Sequence, residues 1–218
     1  MEDTRIRPDQ RLRSILIFNG PDAAGEENIF RTKSFFEGHG FGIKLLQQTD
    51  NVKDLQKAVC EEVRKYKDVF WVCCVVAPGA NNVFLLNGKE TADWRNTEKV
   101  SFDLVEKWFT DSRDSPESRV VMIFDMNASI PHFTSDGHGK AVTTDGNILR
   151  FVSYSKWADG KSPCMEQLCR DGTPSSMKEW LQTTKELMIS ANKTSNNLTQ
   201  VPVISGRCED PFDISALK

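Results

Sequence analysis

R-V-V-M-I-F-D-M-N-A-S, residues 119–129, is the stretch on which the reading of this chain turns. Val120, Val121, Met122, Ile123 and Phe124 form an unbroken apolar run between the Ser-, Asp- and Pro-rich residues 111–118 and Pro131. A strand so apolar is covered on both faces. Parallel sheets flanked by helices produce that pattern, and in them the chemistry sits at the carboxyl ends of the strands. Asp125-Met126-Asn127-Ala128 stand at this end.

Outward from this strand, the chain alternates. Residues 14–19 predict a first strand, closed by the breaker-rich turn 20–25. A helix over 26–37 follows, with Ile29, Phe30, Phe36 and the stem of Lys33 on its inner side, and then a strand over 41–46. Thr49 or Asp50 caps a helix over 52–66, in which Leu55, Val59, Val63 and Tyr66 recur at helical spacing. Residues 69–76 make a second apolar strand ending at Ala77-Pro78-Gly79. A small hairpin is expected over 81–87, closing at Asn87-Gly88, and a third helix carries Phe102, Val105 and Phe109. Beyond Asn127, residues 129–147 read as an exposed loop. A strand over 148–154, a short helix over 162–170 and a longer helix over 174–191, capped by Thr173 or Ser175, come next. Gln200-Val-Pro-Val-Ile-Ser205 closes the chain as a strand, and Pro202 within it argues for the edge of the sheet. This order implies right-handed crossovers and a doubly wound sheet.

With 218 residues, one large domain is expected. The formal charge of -3 and the scatter of the 28 Lys and Arg residues give no basic field for nucleic acid. The charged first residues carry no signal-peptide core, and no apolar stretch approaches the roughly 18 residues of a membrane span, so a cytoplasmic protein is expected. The 6 cysteines lie mostly in apolar runs and are read as reduced, buried thiols, which leaves the N-x-S/T triplets at Asn127, Asn192 and Asn197 unused.

Two central strands ending at Pro78 and Asn127, a polar loop, and a smaller strand-helix-helix-strand unit behind it together resemble the caspase family. Its signature is Q-A-C-[RQG]-G, with the histidine about 50 residues upstream. Here M-I-F-D-M-N-A-S keeps the apolar lead-in, and C-C-V-V-A-P-G stands at that upstream spacing. Phe151-Val-Ser-Tyr-Ser155 is similar to the family's strand ending in Y-S-T. Residues 159–169 resemble its D-G-S-W-F-x-x-x-L-C helix start, and 200–205 its last strand. The resemblance spans nearly the whole chain. It implies an α/β fold: a caspase-like three-layer sandwich built on a mostly parallel six-stranded sheet with helices on both faces. The implied divisions are an N-terminal tail (1–13), a large-subunit-like region (14–128), an intersubunit-like loop (129–147) and a small-subunit-like region (148–218). Only about 13 residues precede the first strand, so no recruitment through a death-fold module is expected.

The departures from the family fall on its active site. Asn127 takes the nucleophile's place, and a carboxamide has no thiolate. Pro78 takes the histidine's place, which removes the general base. Asp125 replaces the glutamine of the substrate-aspartate pocket, where its charge is expected to repel a substrate carboxylate. No arginine lies between Arg13 and Arg31, and residues 156–161 are too few for the family's S-W-R-N loop. Trp94-Arg95-Asn96 matches that loop by letter but precedes the central strand.

A relocated pair of Cys73 or Cys74 with His132 or His138 is weighed against inert mid-strand thiols, and the thiols are preferred. Metal binding by His39, His132 and His138 lacks ligand spacing, and no cofactor is expected. Asp136 and Asp145 lie where the family is cut after aspartate, though Asp-Gly pairs also simply make turns. Phe36, Trp108, Phe109 and Trp180, like Phe30, are assigned to packing. The family pairs its last strand with that of a second subunit. By resemblance, Gln200, Val201, Val203, Ile204 and Ser205 are the partner-binding residues, and a bare strand edge is physically a template for another strand. The expectation is a catalytically inactive homologue that regulates an active caspase, and so apoptosis or a related pathway, by mixed dimers or competition, with a homodimer as a further possibility. Its alternatives are a hydrolase with a relocated nucleophile on the same sheet and a non-protease scaffold.

Overall fold

A computed structural model describes residues 12–20, 25–86, 97–116, 118–128, 147–157, 160–170, 176–196 and 198–206. Their elements run β1 (Leu12–Phe18), α1 (Glu26–Gly38), β2 (Gly42–Gln47), α2 (Val52–Arg64), β3 (Phe70–Ala80), β4 (Val83–Leu85), β5 (Lys99–Ser101), α3 (Phe102–Ser112), β6 (Val120–Asn127), β7 (Ile148–Ser155), α4 (Pro163–Leu168), α5 (Met177–Ser195) and β8 (Leu198–Ser205). The main sheet has the order β2-β1-β3-β6-β7-β8. Every pairing in it is parallel except β7 with β8. This is the caspase-like three-layer sandwich, with helices on both faces.

Chain direction explains the layers. β1 to β2 runs one way across the sheet and β2 to β3 runs back, so right-handed crossovers place α1 and α2 on opposite faces. α3 joins α2, while α4 and α5 join α1. Each central strand therefore feeds two cores. Val72, Cys74, Val121, Ile123 and Phe151 pack toward α1, α4 and α5. Trp71, Val75, Met122 and Phe124 pack toward α2 and α3, where Phe102 stacks on Phe124 with centroids 3.9 Å apart. All 11 residues of β3 and all 8 of β6 are buried, which is why their sequences lack polar alternation.

Several sequence expectations are corrected. Phe30 is not an inner residue of α1: it is 73% exposed, and Lys33 also faces out, pairing with Glu37. The buried positions of α1 include the polar Asn28 and Thr32, because Asn28 bonds across to the segment before α4. The caps lie one to three residues from those expected. Asn51 caps α2 by accepting from Asp54 N at 2.9 Å, directly before the first helical residue Val52, and Ser176 caps α5. The hairpin turn is Asn81-Asn82, with φ of 52° and 62° and Ala80 opposite Val83, so β3 extends beyond Val76 to Ala80. Two consecutive left-handed residues are the type I′ geometry that matches strand twist, and asparagine tolerates it. Asn87-Gly88 lies outside the described residues. β1 begins at Leu12, which shortens the expected tail: Arg13 is a strand residue, paired with Glu62 at 2.7 Å and lying over the Tyr66 ring.

Candidate functional site

The carboxyl ends of β1, β3, β6 and β7 lie side by side. The sheet order reverses between β1 and β3, which is where open α/β sheets form their crevice. Gly20, just past β1, has φ of 85°, and a Cβ there would stand 2.7 Å from Cγ and Cδ of Pro78. The proline ring thus packs directly on the glycine backbone. Pro78 is the register partner of Asn127, and Asn127 of Ser155. The structure therefore brings together two positions, Pro78 and Asn127, that the sequence separates by about 50 residues. Neither a thiol nor an imidazole stands there, and Asn127 is only 3% exposed.

β3 does not stop at this point but runs on into the hairpin with β4, which in turn pairs with β5. Tyr154 of β7 pins the turn, its hydroxyl accepting from Asn82 N at 2.9 Å, and Asn82 O accepts from Phe102 N at 2.9 Å. The backbone beyond Pro78 is thereby tied to β7 and to the start of α3.

Asp125, two residues before Asn127 on β6, has a fully buried side chain. It points into the layer of α1 and α4, where the Ser162 hydroxyl donates to Oδ2 while Oδ1 has no hydrogen-bond partner. Burial pushes the carboxyl up to about 7, with the Ser162 bond pulling the other way. Ser162 is also the cap of α4, accepting from Met165 N at 3.0 Å. Asn28 of α1 completes the set, donating to Gly160 O at 2.6 Å and accepting from Ser162 N at 3.4 Å. Ser162 before Pro163 is a legible helix start; its bond to Asp125 is not legible, because the partners lie 37 residues apart.

The described thiols are buried or half-buried. Cys73, Cys74 and Cys164 are completely buried, and burial raises each far above the range in which a thiolate forms at neutral pH. Cys169, at the end of α4, is pushed up to about 12 by burial. Cys60 is buried as well, and all five are free; Cys208 lies outside the described residues. His39 caps the end of α1, its Nδ1 2.8 Å from Phe35 O. His132, His138, Asp136, Asp145 and Trp94-Arg95-Asn96 lie outside the described residues. Among those described, no three His, Cys, Asp or Glu side chains are grouped as metal ligands, and no helix is long and apolar enough to cross a membrane.

The remaining sequence-derived site is β8, an outer strand of the sheet. Its register with β7 shifts between Val152↔Val203 and Tyr154↔Gln200, and the irregularity spans Val201 and Pro202, where a proline is tolerated. Pro202 is buried and Ile204 packs on the α1, α4 and α5 side. Val201 and Val203 point the other way and are 56% and 40% exposed; with Phe30 they are the exposed large apolar residues among those described. Ser205 pairs with Arg150. No charged residue occurs in β8. The opposite outer strand, β2, differs: Lys44 lies within it, and the Arg13 guanidinium leaves no room for a side chain at Gly42.

Arg150, which the sequence reading passed over, is fully buried in β7 and donates to Glu106 at 2.5 Å and to Asp103 at 2.7 Å. It locks α3 to the strand beside β8. An arginine inside an apolar run was the available signal.

No protein-family model matches the chain, and none of the curated proteins does. Among solved structures 135 chains match. One, described as "structure of pro-sf-caspase-1", superposes with a TM-score of 0.68 over 94% of this chain and 91% of that one, at 12% identity. That likeness is one of fold.

Proposed function

We propose that this chain is a caspase-like protein without peptidase activity, which regulates an active caspase by pairing through β8. The observation that carries the reading is the contrast between two places on one sheet. At the strand ends, Pro78 and Asn127 stand as direct neighbours where the family resemblance puts base and nucleophile, and every described cysteine is a buried or half-buried free thiol. At the edge, β8 keeps an uncharged strand with Val201 and Val203 turned to solvent. Main-chain groups plus a short apolar face are what β-augmentation requires.

The test is to titrate the purified protein into an active caspase from the same organism and follow cleavage of a peptide substrate. A saturable change in rate, together with co-migration of the two proteins in sedimentation, is expected. Absence of both overturns the reading. Selective, activity-dependent labelling of one residue by a thiol- or serine-reactive probe would instead establish a hydrolase.

A further inference from the structure

We propose that Asp125, Ser162 and Asn28 form a proton-dependent latch, which holds the first turn of α4 against the sheet while Asp125 is neutral and releases it when Asp125 ionises. The inference is independent of whether the chain regulates a peptidase. It rests on three features of the geometry.

First, Asp125 is buried, and among the described residues no cation pairs with it. Val76 and Ser153 flank it on β3 and β7. The titratable groups that sense its charge are the thiols of Cys74 on β3, Cys164 on α4 and Cys169 beyond α4, all kept protonated by burial. α1 contributes the uncharged Asn28 and Thr32; its Arg31 acts on Cys169, and Glu27 is engaged outside by Lys161 at 3.1 Å. Second, a carboxylate has about four acceptor positions. Asp125 receives one donor, from Ser162, and Oδ1 receives none. Ionisation in place therefore leaves a charge desolvated and under-bonded, whereas water supplies the missing donors. Third, the cover over this carboxyl is a thin one. Ser162 is the cap of a six-residue helix, and Asn28 holds Ser162 N and Gly160 O at a single point. Loss of the Ser162 contact detaches the capping residue of α4 from the sheet and leaves the bonds of Asn28 as the hold on this segment. The segment so released is the one that covers Asp125, whose register partner on β7 is Ser153.

The experiment is amide hydrogen exchange on the intact chain from about pH 5 to about pH 8.5, corrected for the intrinsic pH dependence of exchange, comparing the α4 amides with those of α2. Opening of α4 should increase roughly tenfold per pH unit up to about 7 and then level off, while α2 stays protected. In Asp125→Asn the α4 amides should show no such slope, and in Ser162→Ala they should exchange rapidly across the whole range. An α4 slope that persists in Asp125→Asn, or one that α2 shares in the wild type, overturns the latch. If Asp125→Asn does not fold, the α4 and α2 profiles of the wild type decide between the two outcomes, and Ser162→Ala provides the second variant.

Discussion

Changing Val203 to lysine tests the edge-strand reading most directly. Val203 is 40% exposed, and its Cα partner is the buried Val152. Complete burial of a valine is worth about 1.5–3 kcal/mol, so the part still open to a partner amounts to roughly 1 kcal/mol. Val201, at 56% exposed, offers slightly more. A lysine gives up the apolar contribution and brings an ammonium to the seam of the docked strand, where desolvation costs several kcal/mol unless the charge escapes to the rim. A loss of affinity of at least about tenfold follows. In the monomer the lysine stem lies over Val152 while its head stays in water, so stability should change by less than about 1 kcal/mol. The assay is sedimentation of the variant with an active caspase, alongside the rate titration and a thermal melt. Lys44→Ala on β2, the other outer strand, serves as the control and should change nothing. If Val203→Lys binds and modulates the caspase like the wild type at unchanged Tm, the interface lies elsewhere and the argument from β8 is wrong.

Restoring chemistry at the two paired positions by Pro78→His and Asn127→Cys should not yield turnover of an aspartate-containing peptide above the wild-type background. Position 127 is nearly enclosed, Pro78 packs on Gly20, and no arginine lies between Arg13 and Arg31 to hold the substrate carboxylate. For Asp125, the folded value of about 7 lies above the ordinary 3.8, so its contribution to stability is complete below about 3.8 and is lost as pH rises through 7. Asp125→Asn should remove that dependence, and the stability difference between variant and wild type should shift by about 4 kcal/mol across this window in denaturant titrations; parallel profiles would contradict it. Arg150→Met removes the buried cation that Glu106 and Asp103 accept from and should cost about 3 kcal/mol in urea unfolding, while adding Glu106→Leu should recover part of the loss.

What the sequence disclosed follows from physics that is local or periodic. β3 and β6 were legible because burial on both faces leaves an unbroken apolar run, and β8 because Pro202 cannot serve a central strand. The adjacency of Pro78 and Asn127 followed from two such strands in parallel register. Features decided by distant partners were not legible. Asp125 reads as a surface charge until Ser162, far along the chain, is seen to enclose it. Phe30 reads as core because its helix looks apolar there, whereas the inner stripe is given to Asn28 and Thr32 for bonds made across the fold. The turn at Asn81-Asn82 was not legible either, because Tyr154 and Phe102 hold the asparagines from outside.

The unequal edges of the sheet also limit how an assembly can grow. A sheet with two receptive edges adds copies head to tail and extends without end. Here Lys44 lies within β2, whereas β8 carries no charge. Growth then has one point of attachment per chain. On the proposed pairing through β8, two copies, or one copy and a relative, would meet through the same strand about a twofold axis, and the contact would use up the edge that made it. Such pairing would close at two and would not propagate into a fibre, so an uncharged outer strand need not be an open-ended template.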